Sequence, residues 1–152
     1  VRVTAKVDYA VRAAVHLTGR VGEGPIKGDR IAEAQQIPLK YLENILSELR
    51  QAGIVRSQRG ADGGYWLGRD PADVPLADII RAVEGPLAHV RGERPTDLRY
   101  PDGTGALRDV WVAVRASLRL VLEQVTLADV ASGELPEHVR ALIEAPEAWE
   151  QK

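Results

Sequence analysis

Residues 54–67 read IVRSQRGADGGYWL. Ile54 and Val55 lead in like a strand, and Tyr65, Trp66 and Leu67 lead out like another. Between them lies a turn from Gly60 to Gly64, with Asp62 as a further turn former. Glycine-rich loops often cradle phosphates, but such a cradle needs a strand, glycines and then a helix whose N-terminus faces the anion. Here no helix follows at once, and Tyr65-Trp66 stands where a nucleotide loop would carry Lys-Ser/Thr. The reading is therefore a hairpin. Its tip is narrow, lacks Cβ bulk and is led by Arg59, which suits the negative minor groove of a DNA duplex.

Working outward, residues 27–53 read as two helices with a tight joint. The first spans about 28–35 and buries Ile31 and Ala32. Ile37 is an apolar plug in the turn, and Pro38 suits a helix start. The second spans about 39–52, with Leu42, Ile45, Leu46 and Leu49 on one face and Gly53 as its stop. A short helix, a turn, a longer helix and a hairpin make a winged helix-turn-helix.

The flanks are helical too. Residues 4–20 form an amphipathic helix capped by Thr4, with Val7, Val11, Ala14, Val15 and Thr18 on its stripe. Residues 74–85 carry Leu76, Ile79, Ile80 and Val83 at helical spacing. Residues 86–104 lack a period and read as a loop. Residues 106–125 are the longest periodic segment, and Leu107, Val110, Trp111, Val114, Leu118, Val121, Leu122 and Val125 give a broad apolar stripe. A small winged-helix core does not cover so long a stripe, so self-association is the simplest account. Short helices follow at 126–130 and 136–145. The fold class is mainly α with a small β-hairpin wing: a winged helix-turn-helix plus a long C-terminal dimerisation helix. The expected organisation is a DNA-binding domain over 1–84, a sensor loop over 85–105, a dimerisation region over 106–130 and a helical tail over 131–152.

Composition narrows the function. The 152 residues carry a net charge of −2. Residues 1–69 hold 11 Lys and Arg against 7 Asp and Glu, whereas residues 70–152 hold 9 against 15. A basic front half and an acidic back half suit a polyanionic partner for the front. Arg outnumbers Lys 16 to 4, in the manner of GC-rich bacterial coding. No apolar run reaches membrane-spanning length, and no signal-peptide core opens the chain, so the expected compartment is the cytoplasm. No catalytic Ser/His/Asp or Cys/His set and no His-Glu-x-x-His motif is visible, which argues against an enzyme. There is no Cys, which removes thiolate zinc and ordinary iron–sulfur ligation. No cofactor and no metal are expected.

The motifs also carry a resemblance. KYLENILSELRQAGIVRSQRGADGGYWL (40–67), LADIIRAVEGPL (76–87), LADV (127–130) and the opening VRVTAKVDYAVRA (1–13) resemble the Rrf-two family of bacterial winged-helix transcription regulators, over about residues 1–130. The resemblance implies a homodimer on a palindromic double-stranded operator, commonly a repressor. It places the recognition helix in the major groove and the wing tip, with Gly60 and Gly63, at the minor groove. It implies that Lys40, Tyr41, Glu43 and Asn44 face bases or backbone, that Arg59 enters the minor groove, and that Thr4 and Lys6 lie near phosphates. Chemistry agrees: Asn44 can pair with an adenine edge and Glu43 can accept from cytosine. Ser57 and Gln58 can add backbone contacts. Plainer readings stand beside these. Tyr41 can be a half-buried packing residue, Glu43 can pair with Lys40 along the helix, and one of Tyr65 and Trp66 belongs to the core.

The chain departs from the family pattern at one place. Many members hold an iron–sulfur cluster on three cysteines in the loop before the long helix, in some cases completed by a carboxylate where Asp8 stands here. This chain offers AHVRGERPTDLRYPDGTGAL instead. Asp8 is then a surface charge or an interhelical hydrogen-bond partner, and His89 alone is a weak metal candidate. Arg91, Arg94, Arg99 and Tyr100 suit an anionic small-molecule effector or a partner protein, or else the loop is a solvated linker. A cluster-free branch of the family works in cysteine metabolism through a partner enzyme, which makes a sulfur-metabolism regulator the second reading. A winged-helix module for protein contacts alone is the rival from another class.

Overall fold

The computed structural model describes every residue, 1–152. Helix α1 (Ala5–Thr18) begins where the Thr4 hydroxyl accepts from the Val7 amide. Its buried face is Val7, Ala10, Ala13, Ala14 and Leu17, rotated from the expected stripe: Val7 and Ala14 are buried as expected, whereas Val11, Val15 and Thr18 are only half-buried at its edge. The alanines matter because other elements press on α1 from several sides, and small side chains let those backbones approach closely. Helix α2 (Gly28–Gln35) ends at Gln36, a non-glycine residue with φ 53°. The chain reverses there, and the amide of the buried plug Ile37 donates to the Ala32 carbonyl. Helix α3 (Leu39–Gln51) buries Leu42, Ile45, Leu46 and Leu49. Each such side chain contributes about 1.5–3 kcal/mol by leaving water.

Strands β1 (Val55–Gln58) and β2 (Gly64–Leu67) pair antiparallel, with Val55 opposite Leu67 and Gln58 opposite Gly64. Ile26, just before α2, adds a single bridge on the other edge of β2 by exchanging both backbone hydrogen bonds with Tyr65 at 2.9 and 2.8 Å. Two glycines are required by this arrangement. A Cβ on Gly63 would stand 2.1 Å from the Gln58 carbonyl oxygen, and one on Gly64 would stand 2.5 Å from the Ile26 backbone. Gly63 and Gly64 therefore serve close backbone approach, whereas Gly60 has open space around it and serves a φ of 105°. Of the two aromatics, Tyr65 packs against the core.

Helix α4 (Leu76–Glu84) closes the domain over α1 and α3. Helix α5 (Ala106–Leu122) has no buried residue at all. It ends three residues before the expected boundary at 125. The reason is that the following segment turns into the core. The Leu76 amide donates to the Val125 carbonyl at 2.9 Å, and the Leu127 amide donates to that of Val74 at 3.0 Å. Helix α6 (Leu127–Ser132) opens with a capping box between Thr126 and Asp129 and packs on α1, with Leu127 in the main core. Helix α7 (Glu137–Glu144) buries only Val139.

Residues 86–104 are more ordered than an unstructured linker. Val90 and Glu93 exchange both backbone hydrogen bonds across Arg91 and Gly92, which have φ 52° and 78°. A single turn at Pro95–Asp97 then buries Pro95 and Leu98 and packs on α5. No helix is long and apolar enough to cross a membrane.

Candidate nucleic-acid interface

The periodicity that buries four apolar residues of α3 leaves the opposite face polar. Lys40, Tyr41, Glu43, Asn44 and Arg50 are exposed there, with Ser47 half-exposed. Lys40 and Glu43 form no ion pair, so both keep their charge free for another partner. Tyr41 is exposed, and its ring meets that of Tyr9 edge-on at 5.6 Å. Packing and exposure coexist in this residue, because α1 holds one edge of the ring and leaves the rest outside.

The wing stands beside this face. Between α3 and the hairpin lies an open cleft of about 560 Å³, lined among others by Lys27, Glu43, Ser47, Arg50, Ser57 and Arg59. Gly60 and Gly63 shape its far wall, with Gly60 at φ 105°. Three cations, Lys27, Arg50 and Arg59, stand against two carboxylates, Asp29 and Glu43, which leaves the cleft a small positive excess suited to a polyanion. Arg50 and Lys27 were not singled out from the sequence. The signal for Arg50 was present: Glu43, Ser47 and Arg50 follow helical spacing on one face. Lys27 carried no such signal.

Thr4 and Lys6 are engaged within the chain. The Thr4 hydroxyl, besides capping α1, donates to the Glu84 carboxylate. The Lys6 ammonium pairs with Glu48 of α3 at 3.0 Å. Asp8 pairs with Arg12 one turn on at 3.1 Å, and Arg12 also donates to the Gln35 carbonyl at 2.8 Å.

On α5 the apolar stripe is open. Leu107 is exposed, and Trp111, Val114, Leu118, Val121 and Leu122 are half-buried. Val125 differs. It is 3% exposed and buried within its own chain, so its side chain is not offered to a partner. Its place on the stripe is corrected for the reason given above: the helix has already ended, and the backbone bond to Leu76 draws the residue inward. In the loop, Arg91 lies over the Tyr100 ring at 5.3 Å, and Tyr100 accepts from Trp111 Nε1 at 2.9 Å. Arg94 and Arg99 are exposed nearby, and so is His89. No three His, Asp or Glu side chains converge on a point, and there is no Cys.

Residues 3–133 match the family model described as Rrf2, iron-dependent transcriptional regulator. The chain belongs to the Rrf2 family. It is 49% identical over 149 residues to an HTH-type transcriptional regulator of Mycobacterium tuberculosis (strain ATCC 25618 / H37Rv), covering 98% of this chain and 92% of that one. It is 37% identical over 131 residues to the HTH-type transcriptional regulator CymR of Bacillus subtilis, covering 86% and 90%. The solved structure of CymR, titled the global cysteine regulator of B. subtilis, superimposes with a TM-score of 0.74 at 36% identity, covering 88% of this chain and 98% of that one. That of T. potens IscR does so with a TM-score of 0.69 at 36% identity, covering 100% and 93%. The chain is thus a transcriptional regulator of a DNA-binding family and not an enzyme, with a winged helix-turn-helix fold. The iron-dependence in the family description meets a donor set that does not fit an iron–sulfur cluster, since such clusters are held by thiolates and this chain has none.

Proposed function

We propose that this regulator binds a palindromic operator as a homodimer, represses from it, and works in the cytoplasm without an iron–sulfur cluster. The observation that carries the reading is the cleft in which the polar face of α3 and the wing meet, with Arg50 and Arg59 on its two sides. Helix α3 reads the major groove, where Asn44 pairs with an adenine edge and Glu43 accepts from cytosine. Lys40, Tyr41 and Ser57 contact the backbone, and Arg59 enters the flanking minor groove. Thr4 and Lys6 lie at the same end of α1 and join the backbone contacts by exchanging Glu84 and Glu48 for phosphates. Helix α5 pairs with its copy through Leu107, Trp111, Val114, Leu118, Val121 and Leu122. Titrating the protein against its own upstream region and a scrambled duplex at two salt concentrations tests this. Equal affinity for both duplexes would overturn it. Absence of salt-dependent binding to either would favour a module for protein contacts alone.

A second reading is favoured by the likeness to CymR. In it the regulator serves sulfur or cysteine metabolism and takes its signal from a small anionic effector or a partner enzyme. The loop with His89, Arg91, Arg94, Arg99 and Tyr100 would receive that signal. A change in operator affinity on adding sulfur metabolites, lost in Arg94→Ala/Arg99→Ala, would support it.

A further inference from the structure

Lys27 is out of place by the rules of local structure. It is the N-cap residue of α2 and makes no side-chain cap there. Ser, Thr, Asp and Asn are preferred at that position, and a cation is disfavoured by the helix dipole. Helix α2 therefore gains nothing from it. What Lys27 does instead is reach across to the wing, where its ammonium donates to the Ala61 carbonyl at 2.6 Å. Ala61 sits two residues beyond Arg59, inside the turn closed by the Gly63 amide on the Gly60 carbonyl. The neighbouring Ile26 is already bonded to Tyr65, one pair from the turn end of the hairpin. The turn and the strand end next to it are thus both tied to the two residues that precede α2.

We propose that Lys27 is a positioning residue for minor-groove reading: by anchoring the wing turn on the lead-in to α2, it fixes where Arg59 stands relative to α3. A two-stranded hairpin of four residues per strand is a compliant element on its own. Arg59 gains from a narrow A·T-rich groove only if it is held at the depth and register that α3 sets. The latch supplies that register. Ammonium to carbonyl is a charge-assisted bond, stronger than a neutral one, and it commits one of the three Lys27 donors to the wing turn. The inference rests on the proposed wing contact, and its test separates the two.

The test is a double-mutant cycle of Lys27→Met and Arg59→Ala on operators whose flanks are A·T-rich or G·C-rich. Arg59→Ala should abolish any preference for A·T-rich flanks. Lys27→Met should reduce that preference about three- to tenfold, beyond any common loss on both flanks from removing one cleft cation, and leave the thermal midpoint unchanged. Apart from that common loss, the double variant should bind like Arg59→Ala alone, and Lys27→Arg should restore the preference. If Lys27→Met weakens both operators equally and adds to Arg59→Ala, Lys27 is an independent phosphate contact and the proposal fails. If Lys27→Met leaves the flank preference intact beside a damaging Arg59→Ala, the latch fails and the wing contact stands. If Arg59→Ala itself changes nothing, both fall.

Discussion

Helices α3 and α5 are both amphipathic, and they meet opposite fates. Helix α3 buries Leu42, Ile45, Leu46 and Leu49, whereas α5, four residues longer, buries nothing. Around α3 every apolar residue but Leu39, at the helix start, is buried inside the chain, and the polar face is what remains to act. Around α5 the apolar face is what remains, which is the surface that the proposed pairing with a second copy would cover. At about 25 Å long, it offers an apolar stripe too extended for its main neighbours, the Pro95–Asp97 turn and the end of α4. The first region is a finished fold and the second an unfinished one. That difference is what the proposal of reading at the front and assembly at the back rests on.

The sharpest way to break the comparison uses two positions that look alike in sequence. Val125 and Leu122 share one stripe by periodicity, but only Val125 is inside the core. Val125→Asp should destabilise the chain by more than about 3 kcal/mol, because it buries a charge without a partner. Urea unfolding followed by circular dichroism measures this. A loss under about 1 kcal/mol would place Val125 outside the core after all. Leu118→Asp with Leu122→Asp should instead leave the helical signal intact and yield a monomer in sedimentation. Operator affinity should then fall by orders of magnitude, since one half-site replaces two. A dimer that survives both substitutions puts the interface elsewhere.

Within the front half, the polar face of α3 and the wing tip should also separate. Asn44→Ala should cost about 1–3 kcal/mol on the operator and little on random DNA, because a base-edge contact carries sequence and a phosphate contact does not. Arg59→Ala should shallow the salt dependence by roughly one unit. Arg59 is exposed, so thermal stability should change by less than about 0.5 kcal/mol.

How much of this was legible in the sequence follows from the same contrast. Helices α2, α3 and the wing were readable because each is a local pattern: periodic leucines, a plug at Ile37, glycines between two apolar runs. The α5 boundary was not, because Val125 keeps the helical period while a long-range backbone bond to Leu76 decides its fate. The deepest face of α1 was masked for a related reason. Ala10 and Ala13 look neutral in a hydrophobic scan, and only the crowding of neighbours on α1 makes them core. Lys27 was invisible because its partner is a carbonyl 34 residues away, and backbone acceptors leave no trace in sequence. The loop over 86–104 hid its order in two residues, Pro95 and Leu98, too few to set a period.

The smallest expected effect concerns the joint between α1 and α2, where the front half titrates. His16 lies in the last turn of α1, and its Nδ1 faces the Gln35 side chain of α2 at 3.4 Å. Burial lowers its pKa below 6.5, the Arg20 guanidinium lowers it further, and the Glu23 carboxylate pulls it partly back. The folded chain therefore binds this proton less readily than the unfolded chain does. As pH falls through 6.5 the unfolded state is protonated first, so stability declines until the lower folded pKa is also passed. Above about pH 7 the group contributes no pH dependence. The ring is only partly buried and solvent screens its neighbours, so the decline is small. His16→Gln removes the titration, and its stability should be flatter than that of the parent between about pH 7 and pH 5. Parallel denaturation curves across that range decide the matter. If the two proteins lose stability with the same slope, carboxylates elsewhere govern the acid side and the α1–α2 joint does not sense pH.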